Sequence, residues 1–232
     1  MTRQVYDPGA YPPFAVTVDI VVLSVSHRRL WVAVVERGSP PFQGLWSLPG
    51  GFVEPDEDLE SAANRELAEE TGLDASRLEQ VGAYGAPNRD PRMRVVSVAY
   101  WTAAADLTGL HAGSDATSTS LMAVQGGFPE QLAFDHSLIL NDALDLVREA
   151  LQTRPVATRF CRPEFTIAEL RGVYEAIWDT TLDPGNFHKR VIEMPGLVEP
   201  TGHRREGGRG RPPELYRAGP AQRLDPPLSR PD

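Results

Sequence analysis

The chain has 232 residues, 41% hydrophobic and 24% charged, a balance that suits a globular protein and a length that favours two domains. Its single cysteine, Cys161, excludes an internal disulfide framework, and no apolar run approaches a membrane span. The net charge of −9 is uneven: residues 1–150 hold 10 arginines against 21 carboxylates, whereas residues 151–232 hold 13 basic residues against 11 acidic ones. The acidic half is therefore a poor partner for nucleic acid and the C-terminal half the better one. With no signal peptide in view, a cytoplasmic location without membrane association is expected.

Residues 16–23, VTVDIVVL, are rich in β-branched side chains and read as a strand. A turn over Ser26, His27, Arg28 and Arg29 joins them to a second strand over residues 30–35. Residues 51–73 then read GFVEPDEDLESAANRELAEETGL. Asp56 or Asp58 can cap a helix here, and Leu59, Ala63 and Leu67 recur every four residues to give it an apolar face. Gly72 is a natural stop. Glu66 and Glu70 lie four apart and Glu69 three from Glu66, so the three side chains can converge. Like charges at those spacings destabilise a bare helix. A hard divalent cation with oxygen ligands reverses the sign, and Mg²⁺ is the usual one beside phosphates. Arg65 is left to orient a carboxylate by charge-assisted hydrogen bonds. A solvated acidic face is the ordinary reading of any single glutamate; two glycines and an arginine at fixed distances argue against it for the set.

The spacing Gly51, Glu57, then Arg65 to Leu73 resembles the Nudix box at every fixed position, and the preceding Trp46-Ser47-Leu48-Pro49-Gly50 is also similar to that family. The resemblance implies an α/β/α sandwich with a mixed sheet, acting on a nucleoside diphosphate linked to another group. It implies Glu66, Glu69 and Glu70 as ligands of Mg²⁺ (or Mn²⁺), Glu57 as an accessory carboxylate and Arg65 as the residue that orients its neighbours. The implied reaction is attack of metal-activated water on a pyrophosphate.

Residues 78–84 and 94–101 read as further strands. Pro91 breaks the chain between them, so Arg89, Asp90 and Arg92 fall on a loop near a sheet end. An ordinary polar hairpin and a pair of cations for a diphosphate or adenylate group both fit that loop. The run RDPR before residues 94–100 resembles Nudix members that handle ADP-ribose, which implies Arg89, Asp90, Arg92, Gly50 and Gly51 as ligand-binding positions. Residues 106–132, rich in Gly, Ser, Thr and Ala, carry weak structure. Asp135 then caps a long amphipathic helix over residues 136–152, able to pack at a dimer or interdomain interface.

Residues 12–153 are thus read as one domain and residues 154–160 as a linker. Thr166 opens a helix with Glu169 three residues on, a capping box. Asp183 or Pro184 starts a second helix carrying Asn186, His188, Lys189 and Arg190. Two short strands, residues 197–200 and 214–217, flank a loop with His203, Arg204, Arg205, Arg209 and Arg211. Helix, turn, helix and a hairpin with a long basic loop is the order of a winged helix-turn-helix, here over residues 161–218. Asn, Lys and Arg on the second helix can meet base edges and phosphates, and the wing arginines the backbone or the minor groove. A small helical appendage with an idle basic loop is the bland alternative. The Pro-rich residues 219–232 are expected to be disordered.

The two halves, with FTIAEL, NFHKR and GRPPELYR in order, resemble the NrtR-type Nudix-related transcriptional regulators. That resemblance implies a homodimeric repressor of NAD metabolism genes, bound to a double-stranded DNA operator and released by ADP-ribose or a related NAD metabolite. It implies Asn186, Lys189, Arg190 and the wing arginines as DNA contacts. The acidic box is complete, so a Mg²⁺-dependent ADP-ribose pyrophosphatase, alone or combined with regulation, stays open as the second class.

Overall fold

The computed structural model describes residues 7, 9, 11–73, 77–107, 116–124, 132–206 and 212–230. Its centre is β1 (Ala15–Ser26), a twelve-residue strand buried on both faces. Strict alternation along β1 divides the core. Val18, Ile20 and Val22 face one layer with Ala62, Ala63 and Leu67, whereas Val21 and Leu23 face the other with Ile139, Leu140, Ala143 and Leu144. A strand covered on both sides reads as a nearly continuous apolar run.

β2 (Arg29–Arg37) returns antiparallel to the second half of β1, through a turn in which His27 and Arg28 take positive φ. Two strands too short to show a periodicity of their own, β3 (Trp46–Ser47) and β4 (Gly50–Phe52), pair with β2 and with the first half of β1. Helix α1 (Leu59–Thr71) follows; Asp58 caps it by accepting the Ser61 N–H, and Gly72 ends it in the left-handed conformation at φ 70°. β5 (Glu79–Tyr84) pairs antiparallel with β6 (Val95–Ala103), which lies parallel to β1 and makes the sheet mixed. β7 (Ala116–Ala123) pairs with β2. The expectation of weak structure is thus corrected for residues 116–123, a Ser/Thr-rich run that forms a strand because β2 offers it a free edge; residues 108–115 and 125–131 of that stretch lie outside the described residues.

Helix α2 (His136–Thr153) covers the second face. Asp135 precedes it but makes no side-chain cap; its carboxylate accepts instead from Arg89. The expected linker is no loose connection. Residues Pro155–Phe160 form a 3₁₀ helix whose Val156, Ala157 and Phe160 are buried. Three apolar side chains in six residues give the segment a core of its own to join.

Helix α3 (Ile167–Trp178) begins at the capping box of Thr166 and Glu169, and its Leu170, Val173, Tyr174, Ile177 and Trp178 are buried. Helix α4 (Pro184–Glu193) is capped by Asp183, which accepts the Asn186 N–H. β8 (Val198–Arg204) and β9 (Glu214–Ala218) form the antiparallel hairpin, with Phe165 bridged to Tyr216. The C-terminal segment is also corrected: residues 219–230 are ordered, with Leu224 and Leu228 buried in the core that α2 and α3 share. Its prolines suit an extended strap as well as a disordered tail.

Candidate functional site

A cleft of about 490 Å³ opens where β1, β4, α1 and the loop before β6 meet. Gly50, Gly51, Arg65, Glu66, Glu69, Glu70, Arg89, Asp90 and Arg92 all line it, so the fold brings together the box glycines, the acidic helix face and the RDPR loop. Glu57 joins them through Arg65. The Arg65 guanidinium donates to both Glu57 carboxylate oxygens at 3.1 and 2.6 Å, to Glu66 at 2.9 Å, to Glu69 at 3.3 Å and to the Phe52 carbonyl at 3.1 Å. One planar fork thereby holds three carboxylates and the end of β4 in register.

The glycines have defined roles. A Cβ on Gly51 would stand 2.1 Å from a carboxylate oxygen of Glu66, and one on Gly50, at φ 156°, would stand 2.2 Å from the Val18 carbonyl oxygen. Glu70 lies beneath them and accepts the Gly50 N–H at 2.9 Å. Burial pushes the Glu70 carboxyl up to about 8, with Glu66 and Asp19 adding to the rise and the Gly50 N–H opposing it. Glu66 is raised too, by burial first, against the pull of Arg65.

The cleft wall carries residues that lie outside every motif. Asp19, on β1, accepts hydrogen bonds from Ser97 and, at 3.2 Å, from Arg89. His136, at the start of α2, accepts the Leu48 N–H on Nδ1 at 2.9 Å and presents Nε2 to Asp19 at 3.3 Å. Burial lowers the His136 pKa, so it stands as the neutral tautomer with the proton on Nε2. The signal for Asp19 is present in VTVDIVVL: a carboxylate inside a doubly buried strand must have a polar partner.

The RDPR loop divides in two. Arg89 is buried and is held by Asp19 and by both oxygens of Asp135 at 2.7 and 3.0 Å, so it faces the cleft as an already neutralised cation. The hairpin reading fits it better than the free-cation reading. Arg92 is more accessible: it pairs with Asp90 at 2.7 Å and lies over the rings of Phe52 and Phe134. Arg37 also lies over Phe134, and burial, then Arg92, lowers its pKa. The result is an aromatic and guanidinium wall opposite an acidic floor, a surface for a planar ring joined to an anionic chain.

Among the described residues no group of three or more His, Cys, Asp or Glu is arranged as a metal nest; Glu66 and Glu69 are turned to Arg65. The donors nevertheless suit a hard divalent cation. Glu66 and Glu70 are oxygen donors whose crowding and burial disfavour their charged forms, and Gly51 leaves no room for a side chain between β4 and Glu66.

At the far end, α4 buries Phe187 and Val191 and leaves Asn186, His188, Lys189 and Arg190 exposed. Lys189 lies 4.0 Å from Glu193, and Arg190 donates to the Pro227 carbonyl at 3.2 Å. On the wing, Arg204 donates to the Pro212 carbonyl and Arg205 pairs with Glu169. Arg209 and Arg211 lie outside the described residues.

An acidic cleft under a glycine turn, joined to a winged helix with an exposed polar helix, is the layout of a ligand-binding domain fused to a DNA-binding one. Comparison with known proteins agrees in both halves: the NUDIX domain family matches residues 13–125 and the NrtR DNA-binding winged helix domain matches residues 158–218. The chain is 33% identical to the ADPR-responsive transcriptional repressor NtrR of Acinetobacter baylyi, over 91% of its own length and 85% of that protein's. Its structure is similar to that of Shewanella oneidensis NrtR complexed with a 27mer DNA, with a TM-score of 0.81, 31% identity and coverage of 92% of this chain and 99% of that one. The NUDIX domain of Shewanella oneidensis NrtR complexed with ADP-ribose matches with a TM-score of 0.57 and 32% identity, covering 61% of this chain and 94% of that one. The chain belongs to the NrtR family of Nudix-related transcriptional regulators.

Proposed function

We infer that the protein is an ADP-ribose-responsive transcriptional repressor that holds its ligand in the acidic cleft and its operator on α4 and the wing. The observation that carries this reading is the continuity of the two ends. α2 begins at the cleft with Asp135 and His136, and along its length Arg148 donates to the Ile177 carbonyl while its own carbonyl accepts from Trp178. One helix thus touches both the ligand cleft and the first helix of the DNA-binding half.

In this reading Arg92, Phe52 and Phe134 receive the ring and flanking anion of ADP-ribose, and Glu66, Glu69 and Glu70 would hold Mg²⁺. When bound there, the metal would supply charge neutralisation for the diphosphate. Arg65 keeps the glutamates aimed, and Arg89, tied to Asp19 and Asp135, fixes the junction of β1 and α2. Asn186, His188 and Lys189 meet the major groove, with Arg204 and Arg205 on the flanking backbone. The protein acts as a homodimer in the cytoplasm on genes of NAD metabolism. Binding of a labelled operator duplex, measured with and without ADP-ribose, tests the reading; affinity indifferent to ADP-ribose sinks it.

The intact set of Arg65, Glu66, Glu69 and Glu70 supports hydrolysis as a second activity. Incubation with Mg²⁺ and ADP-ribose should then release AMP and ribose 5-phosphate, and Glu66→Gln should stop it without changing operator affinity. Turnover that survives the substitution counts against this site.

A further inference from the structure

We propose that residues 219–230 are an interdomain strap that sets the orientation of α4 against α2, and so belong to the path by which the cleft is read at the DNA. The proposal rests on the repressor reading above. Both the strap and α2 lie outside the two matched family regions, which cover residues 13–125 and 158–218.

The strap is attached at three places. At its root, the Gly219 N–H donates to the Leu197 carbonyl at 3.0 Å and the Ala221 N–H to the Gly196 carbonyl at 2.9 Å. The approach is backbone on backbone: a Cβ on Gly219 would stand 2.2 Å from the Gly196 carbonyl oxygen. In its middle, the Leu224 N–H donates to the Thr153 carbonyl at 2.8 Å and the Leu228 N–H to the Gln152 carbonyl at 2.9 Å. These are the last two residues of α2, whose carbonyls have no partner within the helix. Leu224 and Leu228 are 1% and 2% exposed. At its far side, the Pro227 carbonyl accepts from Arg190, in the last turn of α4.

α2 is about 27 Å long at 1.5 Å per residue, with the ligand cleft at its first turn and the strap at its last. The strap caps that last turn and grips α4 by a side chain adjacent to Lys189. It also roots at Gly196, in the turn between α4 and β8. A shift of α2 along or about its axis therefore moves the strap, and the strap turns α4 relative to the wing. Half-site spacing makes DNA affinity sensitive to such a turn.

The test uses the full-length chain and two variants. Gly219→Ala forces the root apart while keeping every other side chain. Leu228→Ser keeps the root and frees the middle. Hydrogen exchange, ADP-ribose affinity by calorimetry, and affinity for a duplex selected by the unmodified protein from a random pool are measured on each. In the unmodified protein the Leu224 and Leu228 amides should be protected. In both variants those amides and the last turn of α4 should exchange faster, and ADP-ribose affinity should stay the same. Duplex affinity should fall, and its response to ADP-ribose, about 5–150-fold for an ordinary coupled pair of sites, should shrink to less than about twofold. Unchanged α4 exchange and unchanged duplex affinity in folded variants overturn the strap. If the unmodified protein ignores ADP-ribose, the sensing reading fails, while α4 exchange and duplex affinity still decide the strap.

Discussion

Replacing Arg89 with Ala should cost far more in stability than in charge at the cleft surface. The guanidinium is 4% exposed and bridges Asp19, 8% exposed, to Asp135, 20% exposed. Removing it strands a buried carboxylate between β1 and α2. Breaking a buried pair by deleting one partner costs about 3–5 kcal/mol, because the remaining charge has neither water nor a counter-ion. For a chain of this size each kcal/mol moves Tm by about 2–4 °C, so the expected fall is roughly 6–20 °C. Ser97 and the Nε2–H of a neutral His136 still face Asp19 but supply no counter-charge, so they give only partial relief. Differential scanning fluorimetry without ligand reads the effect directly. A fall of less than about 2 °C together with lost ADP-ribose binding would refute the reasoning, because it would make Arg89 a ligand cation and not a tie between strand and helix.

Gly50→Ala should destabilise by more than about 1 kcal/mol, because its Cβ meets the Val18 carbonyl in a backbone that cannot yield; urea denaturation checks it. Glu79 is pushed up by burial but pulled further down by Arg154 and Arg159, for a net lowered pKa. Its contribution is therefore present above the unfolded value near pH 4.3 and lost as pH falls through the folded one, so Glu79→Gln should flatten the decline of Tm below about pH 4.5. Lys189→Ala should weaken operator binding and reduce the slope of log affinity against log salt by about 0.9, the share of one phosphate contact. A slope unchanged in a titration from low to high salt would remove Lys189 from the interface.

The parts of the fold that follow from local periodicity are legible in the amino-acid order itself. The β-branched run at β1, the Asp58 cap, the Gly72 stop and the Thr166–Glu169 box each encode their own geometry within a few residues. What the sequence hides depends on distant partners. β7 forms from a Ser/Thr run because β2 has an open edge, and residues 219–230 are ordered because Gly196, Leu197, Gln152 and Thr153 offer carbonyls and the core takes up Leu224 and Leu228. The acidic half of the cleft is readable from spacing. The pairing of Asp19 with His136 is not, since the two come from elements far apart in the chain and meet only when β1 and α2 pack. Arg89 shows the same limit in reverse: a basic residue on a loop reads as available until the carboxylates that hold it are placed.

The most direct test of the account is fluorescence anisotropy of a selected operator duplex titrated with the protein, at fixed salt with Mg²⁺, with and without saturating ADP-ribose. Tight, sequence-dependent binding that ADP-ribose weakens is the predicted result. Equal affinity in both titrations, or no preference for the selected duplex over an unrelated one, would contradict it.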